Sequence, residues 1–471
     1  YQVQPGHILK VQRSNGRLEV SDSTYWDINF PRMDERDFTR HEADHVSAVR
    51  SALLEAVELR MVADVPVGCY LSGGIDSCSI LGLASAVSQG PVKAFTIGFD
   101  DVRYDESPIA QQMAEATGAQ QDLMRLSGNE LYGHMEQTLW HTERTIYNTL
   151  AVAKFLMSRH VNSVDYKVVM TGEGSDELFG GYPAFRRDMF LHGLDDLPKE
   201  EREAWECLLQ DSNSLVQGAM LSAAQVDDPD LEAVVGFTPS CLQPWLACVP
   251  LVPDLLAEHH RFAVEGYSPG KAIAAQLDGD QLDGRHALDK AQYVWIKTML
   301  EGQILTWGGD RVDMANSMEA RPAFLDHHLA AVAVQVPPEL RIKGKIEKYV
   351  LREAMAGLLP DVLYKREKFA FMAPPAHTEP DKWAQMQNLA ADYLSDEAID
   401  AAGLLSKSGV KALFDRHDSP ETTEADRVQM DAVINHLLGV QMLHRMFVAT
   451  DVPQQARQEA ERLGWRIPVE V

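Results

Sequence analysis

Two glycine-rich segments carry the residue types that phosphate and metal chemistry requires. The first, Leu71-Ser72-Gly73-Gly74-Ile75-Asp76-Ser77, follows an apolar run that predicts a buried strand, and Ser77 is predicted to open a helix. Glycines let the backbone turn tightly, and the free N–H groups of a helix N-terminus attract anions, so this segment predicts a phosphate cradle. It lacks the lysine of a Walker A loop, and Asp76 would repel a phosphate unless a cation lay between them, which implies Mg²⁺.

The second segment, 171–182, places three acidic residues and four glycines after another predicted strand. Asp176 is predicted to share the Mg²⁺ with Asp76. Glu173 lies between two glycines that would let a substrate approach, and a carboxylate so placed can act as a general base on an incoming amine. The alternative is an acidic loop that caps a helix through Ser175. The pairing with the first segment favours the functional interpretation.

The pattern of apolar runs and glycine turns predicts an α/β fold, with a parallel twisted sheet, helices on both faces and helical additions. Ligands of such sheets bind at the carboxyl ends of the strands, where both segments lie. The predicted strands are 67–71, 93–99, 122–126 and 167–171, and the predicted helices are 34–63, 77–88, 109–117, 129–140 and 148–161. A hairpin is predicted at Asn15-Gly16, residues 185–300 are predicted to be helical, and so is the tail after about 380.

Three further segments have competing interpretations. Residues 341–368 are basic in an acidic chain, which suggests a supply of positive charge for a nucleotide or a solvated helix face. Residues 311–326 would line a cleft or, as we favour for Glu319, Arg321 and Asp326, form structural ion pairs. The helix 34–63 contains His41-Glu42-Ala43-Asp44-His45, which matches the zinc-protease pattern, but no third ligand follows and we predict no zinc there.

Composition excludes several classes of partner. The 471 residues carry a formal net charge of −27, which disfavours binding to nucleic acid or to an anionic membrane surface. No apolar stretch approaches the roughly 20 residues that span a bilayer. The five cysteines show no paired spacing, which is typical of free thiols in a cytoplasmic protein.

With these segments identified, the chain resembles the synthetase domain of the glutamine-dependent asparagine synthetases, whose adenine nucleotide alpha-hydrolase-like fold β-lactam synthetases share. The resemblance covers roughly residues 30–375. The motifs that carry it are Ser72–Ser77, Thr171–Tyr182, Asp310–Asp326, Lys348–Arg352 and Arg366–Phe369. It implies an enzyme that forms an acyl-adenylate from ATP and a carboxylic acid, releases pyrophosphate and lets ammonia attack.

The resemblance also implies roles for individual residues. Lys368 would neutralise charge that develops at the α-phosphate, and Glu173 would be the base or orienting carboxylate, where β-lactam synthetases have tyrosine. The remaining implied contacts are with adenosine (Leu71, Ile97, Thr171, Gly172), with pyrophosphate (Ser72, Gly73, Gly74, Ser77) and with Mg²⁺ (Asp76, Asp176).

Two departures from the family pattern qualify the expected reaction. The family begins with a glutaminase domain that has a nucleophilic cysteine at its start, whereas the first cysteine here is Cys69. Residues 1–30 are therefore predicted to be a remnant of that domain and its linker, with ammonia supplied by a glutaminase domain absent from this chain. Ala151 stands where members that use aspartate often have an arginine, which puts aspartate in doubt.

The sequence thus predicts a synthetase domain over 31–380 and a helical C-terminal extension over 381–471. The expected reaction is ATP-dependent amide formation on aspartate or another carboxylic acid, including acids of specialised natural-product pathways. The rival is a non-catalytic nucleotide-binding subunit, and a ring-closing synthetase is disfavoured by Glu173. The oligomeric state stays open, with a homodimer as the candidate assembly.

Overall fold

A parallel five-stranded sheet forms the centre of the protein in a computed structural model, which describes residues 3–193, 221–222, 225–365 and 373–465. The strand order is β5-β4-β3-β6-β7, and every neighbouring pair is parallel. The strands are β3 (Val67–Tyr70), β4 (Lys93–Phe99), β5 (Gln120–Leu126), β6 (Val168–Thr171) and β7 (Glu319–Pro322). The predicted fold class and all four predicted strands are confirmed, and β7 is the strand that the sequence did not reveal.

The short length and charged composition of β7 explain why it was not predicted. Its four residues include Glu319 and Arg321, whose side chains pair with each other at 2.7 Å on the outer edge of the sheet. Such a segment lacks the apolar run of a buried strand. Arg321 also donates to the carbonyl of Arg60, and Arg60 pairs with Asp326 at 2.9 Å. The structural role favoured for Glu319, Arg321 and Asp326 is therefore confirmed.

Helices connect the strands and make up most of the remaining structure. Those up to residue 192 are α1 (Glu42–Met61), α2 (Ile75–Val87), α3 (Ser107–Thr117), α4 (Gly128–Gly133), α5 (Met135–Thr142), α6 (Leu150–Ser163), α7 (Ser175–Phe179) and α8 (Pro183–His192). Those from 229 to 341 are α9 (Pro229–Val235), α10 (Gln243–Leu246), α11 (Val252–Leu255), α12 (Glu258–Val264), α13 (Pro269–Ala274), α14 (Ala287–Trp295), α15 (Arg311–Met314), α16 (His327–Ala333) and α17 (Pro338–Arg341). The last are α18 (Tyr349–Ala354), α19 (Val362–Lys365), α20 (Pro380–Tyr393), α21 (Asp396–Ala402), α22 (Lys407–His417), α23 (Glu424–Phe447) and α24 (Val452–Arg462).

The start of the first predicted helix shifts for a local reason. Helix α1 begins at Glu42 rather than near residue 34, because Thr39 donates its N–H to the Asp37 side chain at 2.9 Å and closes a turn there.

Residues Ile296–Ile304 and Thr306–Asp310 form wider π-helical turns that continue α14. None of the described helices is long and apolar enough to cross a membrane.

The central sheet separates two hydrophobic cores. Side chains of a strand alternate between its faces, so Ala94 packs into one core and Phe95 into the other. In the same way Met170 and Val169 face opposite cores. Helices α1 to α3 cover the first face, and α4 to α6 cover the second. The sheet is therefore sandwiched between helical layers, which fixes the positions of its carboxyl-end loops.

Helices from the C-terminal part of the chain complete the second core. Met386 of α20 and Met430 and Ile434 of α23 are buried there with Phe155 of α6. The described part of the segment 381–471 thus packs against the sheet-bearing part of the chain. The boundary predicted at 380 stays a prediction.

An exposed hairpin lies near the start of the chain, as the Asn15-Gly16 pair predicts. Strands β1 (His7–Ser14) and β2 (Arg17–Thr24) pair antiparallel, and both turn residues have positive φ, 50° for Asn15 and 77° for Gly16. Most side chains of the hairpin are exposed, including those of Leu18 and Val20. Its assignment to a glutaminase remnant stays a prediction.

A second, shorter hairpin precedes α18. Strands β8 (Ile342–Lys343) and β9 (Ile346–Glu347) pair antiparallel. Lys348, the next residue, adopts a left-handed backbone with φ 53° before the helix begins at Tyr349. This backbone turn delivers the Lys348 side chain to the carboxyl ends of the central strands.

Candidate active site

The predicted phosphate loop joins β3 to α2. Gly73 has φ 83°, and a Cβ at this position would lie 2.8 Å from the carbonyl oxygen of Glu106, so a glycine is required. The Ser77 hydroxyl accepts the N–H of Ser72 at 3.1 Å and donates to the carbonyl of Gly74 at 3.2 Å. Helix α2 begins at Ile75, two positions before the predicted start at Ser77, because Gly74 takes the cap position. Its N-terminal N–H groups therefore meet the loop, as an anion site requires.

The second loop, which follows β6, lies directly against the first. A Cβ on Gly172 would lie 3.0 Å from both the Cβ of Asp76 and the backbone nitrogen of Ser77. The missing side chain of Gly172 therefore allows the two loops to touch. Ser175, at the start of α7, donates its hydroxyl to Asp76 Oδ1 at 2.7 Å and ties the loops together.

The Gly172→Ala variant tests this contact. The added methyl group must push the first loop away from its position, and overpacking of this kind costs about 1–3 kcal/mol. We expect ATP to bind about tenfold more weakly, as measured by isothermal titration calorimetry. The matched control is Gly133→Ala, because a Cβ at Gly133 meets no atom within 4 Å. Equal ATP affinity in the two variants would contradict the close contact.

Asp76 and Asp176 meet at the ammonium group of Lys348. Its Nζ lies 2.5 Å from Asp76 Oδ1 and 2.7 Å from Asp176 Oδ1. All three residues are buried, and Lys348 is only 1% exposed. The two aspartates predicted to share a metal ion are thus brought together, and a lysine neutralises them. The sequence placed Lys348 in a family motif but assigned it no role.

Other basic residues of 341–368 that the structure describes lie apart from one another. Arg341 is fully buried and pairs with Asp289, while Arg352 donates to the backbone carbonyls of Glu347 and Leu363. Lys343 pairs with Glu42 on the surface at 3.0 Å. Lys348, by contrast, reaches the two loops. Lys368 lies outside the described residues, so its role stays a prediction.

Glu173 forms an ion pair with Lys154, a residue of α6 that the sequence did not single out. Lys154 Nζ lies 2.5 Å from Glu173 Oε1, and both side chains are partly buried. Burial works to raise the pKa of Glu173, but the attraction and hydrogen bond of Lys154 outweigh it and lower that pKa. The second oxygen, Oε2, is buried and has no hydrogen-bond partner in the described part of the chain. Glu173 is therefore held as a carboxylate with one oxygen available.

Two further acids surround this ion pair. Asp313 accepts a hydrogen bond from the Tyr70 hydroxyl at 3.1 Å, and burial raises the pKa of Asp313 to about 7. Burial also raises the pKa of Asp310. The attraction of Glu173 and these acids outweighs burial and raises the pKa of Lys154. The signal that would have identified Lys154 is its position as the one lysine among the apolar residues of α6. A lysine in such a helix is expected to be buried, and buried lysines are rare without a partner.

One cavity of about 310 Å³ joins the two loops and the ion pair. Of the predicted site residues that the structure describes, Leu71, Ser72, Gly74, Asp76, Ser77, Ile97, Thr171, Gly172, Glu173 and Asp176 line this cavity, and Gly73 does not. Lys154 is the only cationic side chain in the described lining. Tyr147, Trp245 and Trp307 form an aromatic cluster on another part of the wall, with ring centroids 4.7 and 5.4 Å from Tyr147.

The position in question for aspartate recognition, Ala151, lies in the first turn of α6. Ala151 is fully buried and is absent from the cavity lining, whereas its neighbours Leu150 and Lys154 are part of it. This turn of the helix therefore offers the cavity an apolar side chain and a lysine that is already paired.

Comparison with known proteins identifies the family of this site. The asparagine synthase family model matches residues 48–445. The chain is 33% identical over 404 residues to amidase chyE of Penicillium rubens. That alignment covers 79% of this chain and 58% of the amidase. It is 32% identical over 419 residues to amidase chry2 of Gibberella zeae, with the same two shares. It is 28% identical over 409 residues to glutamine-hydrolysing asparagine synthetase 1 of Bacillus subtilis, with shares of 84% and 59%.

The chain thus spans less than two thirds of the length of these relatives. The family match nevertheless extends over most of the chain and includes both loops, the Lys154–Glu173 pair and Lys348. The chain belongs to the asparagine synthase family.

Proposed function

We propose that the protein is an ATP-dependent amide-forming ligase, which activates a carboxylic acid as an acyl-adenylate and transfers ammonia to it. The observation that carries the proposal is the convergence of Asp76, Asp176 and Glu173 on one cavity beside the phosphate loop. The carboxyl edge of a parallel sheet is where such folds bind nucleotides. In the activation step, a carboxylate oxygen of the acid attacks the α-phosphorus of ATP, and pyrophosphate leaves.

The two loops would hold the nucleotide. The buried apolar side chains of Leu71 and Ile97 suit the adenosine, together with Thr171 and Gly172. Ser72, Gly73, Gly74 and Ser77 would bind the pyrophosphate through hydroxyl and N–H groups at the start of α2. Lys368 is proposed to neutralise charge at the α-phosphate.

Asp76 and Asp176 would hold Mg²⁺. Neighbouring carboxylates supply the oxygen ligands that this ion prefers. When bound, Mg²⁺ would neutralise part of the negative charge of the phosphates. Lys348 would keep the two aspartates together and reduce their mutual repulsion.

Glu173 would orient the incoming ammonia and take up a proton as the new C–N bond forms. Its buried Oε2 can accept a hydrogen bond, while Lys154 holds Oε1. Attack on the acyl carbon expels AMP and yields the amide. We propose that the ammonia derives from glutamine hydrolysis.

The acceptor is proposed to be an aromatic or otherwise apolar carboxylic acid rather than aspartate. A second carboxylate would find no unpaired cation in the described lining of the cavity, because Lys154 already pairs with Glu173. Placing a charge there without a partner is costly. The cluster of Tyr147, Trp245 and Trp307 instead offers aromatic faces. Two fungal relatives are named amidases, which agrees with an acceptor other than aspartate.

ATP–pyrophosphate exchange with a panel of carboxylic acids tests both parts of the proposal. We expect benzoic and aryl-acetic acids to support exchange at least tenfold faster than aspartate, because only they match the aromatic wall. Faster exchange with aspartate would contradict the proposed apolar acceptor but would still support the proposed ligase activity. ATP binding without exchange for any acid would indicate the non-catalytic nucleotide-binding subunit instead.

A further inference from the structure

Three metal-binding side chains converge in the C-terminal part of the protein. His377 lies in the short turn Ala376–Thr378, His417 ends α22 and Asp431 belongs to α23. One ligand atom from each lies within 4.8 Å of the other two. His417 and Asp431 are each only 3% exposed. The proposed ligase function uses none of these residues.

All four ring nitrogens of the two histidines face carboxylate oxygens. Asp431 contacts Nδ1 of His377 at 2.7 Å and Nε2 of His417 at 3.1 Å. The other nitrogens contact Glu424, 2.9 Å from His377, and Asp418, 3.2 Å from His417. A neutral imidazole carries only one N–H donor. A neutral ring therefore cannot donate to both carboxylates that face it, and a metal ion on the inner nitrogen of each ring would leave the outer N–H to donate.

The two rings lie close together, with centroids 5.9 Å apart. A divalent cation between them would bind Nδ1 of His377, Nε2 of His417 and an oxygen of Asp431. The outer N–H groups would then donate to Glu424 and Asp418.

This outer arrangement is the one that metal-bound histidines favour. A carboxylate on the remaining ring N–H fixes the orientation of the ring and increases the basicity of the ligand nitrogen. Trp383 also stacks on His417, with centroids 4.3 Å apart and planes 11° from parallel. Lys382, the nearby cation, is buried and donates to the carbonyl of Pro374.

We propose that His377, His417 and Asp431 form a binding site for a divalent transition-metal ion of the zinc class. Two imidazole nitrogens and one carboxylate are a typical ligand set for zinc, with a fourth position left for water. The site joins α22 and α23 to the turn that contains His377. Asp431 and Ala376 also line the large cavity, so the bound ion would stabilise one wall of it.

Metal titration of the tag-free protein tests the site. After treatment with EDTA and dialysis, we expect stoichiometric binding of Zn²⁺, a rise in the unfolding temperature, and four-coordinate absorption bands when Co²⁺ replaces Zn²⁺. Asp431→Asn should bind the ion at least tenfold more weakly. The matched control is His41→Asn, which removes a histidine of the zinc-protease-like pattern but lies outside the cluster, and it should bind normally.

Three results would overturn the proposal. The first is the absence of stoichiometric binding to the wild-type protein, and the second is loss of binding in His41→Asn. The third is an unfolding temperature that Zn²⁺ does not raise. Because binding and melting are measured without substrate, these results are independent of the ligase function.

Discussion

Replacement of Lys348 by alanine is expected to abolish carboxylate-dependent ATP–pyrophosphate exchange and to lower the free energy of unfolding by about 3–5 kcal/mol. The ammonium group lies between Asp76 and Asp176, and all three residues are buried. Its removal leaves two carboxylates that repel each other at one point. The two loops would then no longer hold their carboxylates together for Mg²⁺. Exchange kinetics and chemical denaturation measure the two effects.

Two further variants separate the structural from the functional contribution of Lys348. The Lys343→Ala control removes a lysine of the same hairpin, but one that is 48% exposed and paired on the surface. It should change stability by less than about 1 kcal/mol and leave exchange intact. The Lys348→Ala/Asp176→Asn double variant should regain part of the lost stability without regaining exchange. Wild-type exchange in Lys348→Ala would show that the ammonium group is dispensable.

Replacement of Glu173 by glutamine is expected to preserve exchange within a few-fold and to slow amide formation by roughly 10²–10⁴-fold. Glutamine retains the shape of the side chain, and its carbonyl oxygen can still accept the hydrogen bond from Lys154. It cannot take up a proton from the attacking ammonia. Activation of the acid would therefore continue while the second step fails. Exchange assays and product analysis with ammonium salts measure the two steps separately.

Glu177→Gln provides the matched control for this variant. Burial and, to a smaller extent, the repulsion of Asp176 raise the pKa of Glu177 to about 7. The residue is therefore already partly neutral near that pH. Its Oε1 accepts hydrogen bonds from Tyr182 and Trp295, both at 3.0 Å, and a glutamine oxygen can accept both. We expect both steps to stay within a few-fold of wild type. Equal loss of exchange and amide formation in Glu173→Gln would contradict the proposed role of Glu173.

The central strands and both loops could be predicted because their signals are local. An apolar run followed by a glycine turn marks the end of a buried strand, and the run at 93–99 coincides with β4. The carboxyl ends of neighbouring parallel strands meet, so Asp76 and Asp176 were correctly expected together. The sequence also indicated that Glu319, Arg321 and Asp326 form ion pairs.

The partners of the predicted acids could not be identified because they come from distant parts of the chain. Nothing in α6 indicates that Lys154 meets Glu173, and nothing in the hairpin β8–β9 indicates that Lys348 reaches Asp76. Those pairings depend on how helices pack, which sequence periodicity does not encode. The cluster of His377, His417 and Asp431 was missed for the same reason. The zinc-like spacing of His41 and His45 is local, yet these residues are not part of the cluster identified among the described residues.

The late position of β7 in the sequence has a consequence for folding during synthesis. Strand β6 pairs with β3 on one side and with β7 on the other, but the ribosome completes β7 only after the long helical part of the chain. Until then, the apolar strand β6 forms an open edge with unpaired N–H and C=O groups. Such an edge can pair with strands of other nascent chains. Strand pairing across this sequence separation is also slow, so this edge stays open for longer.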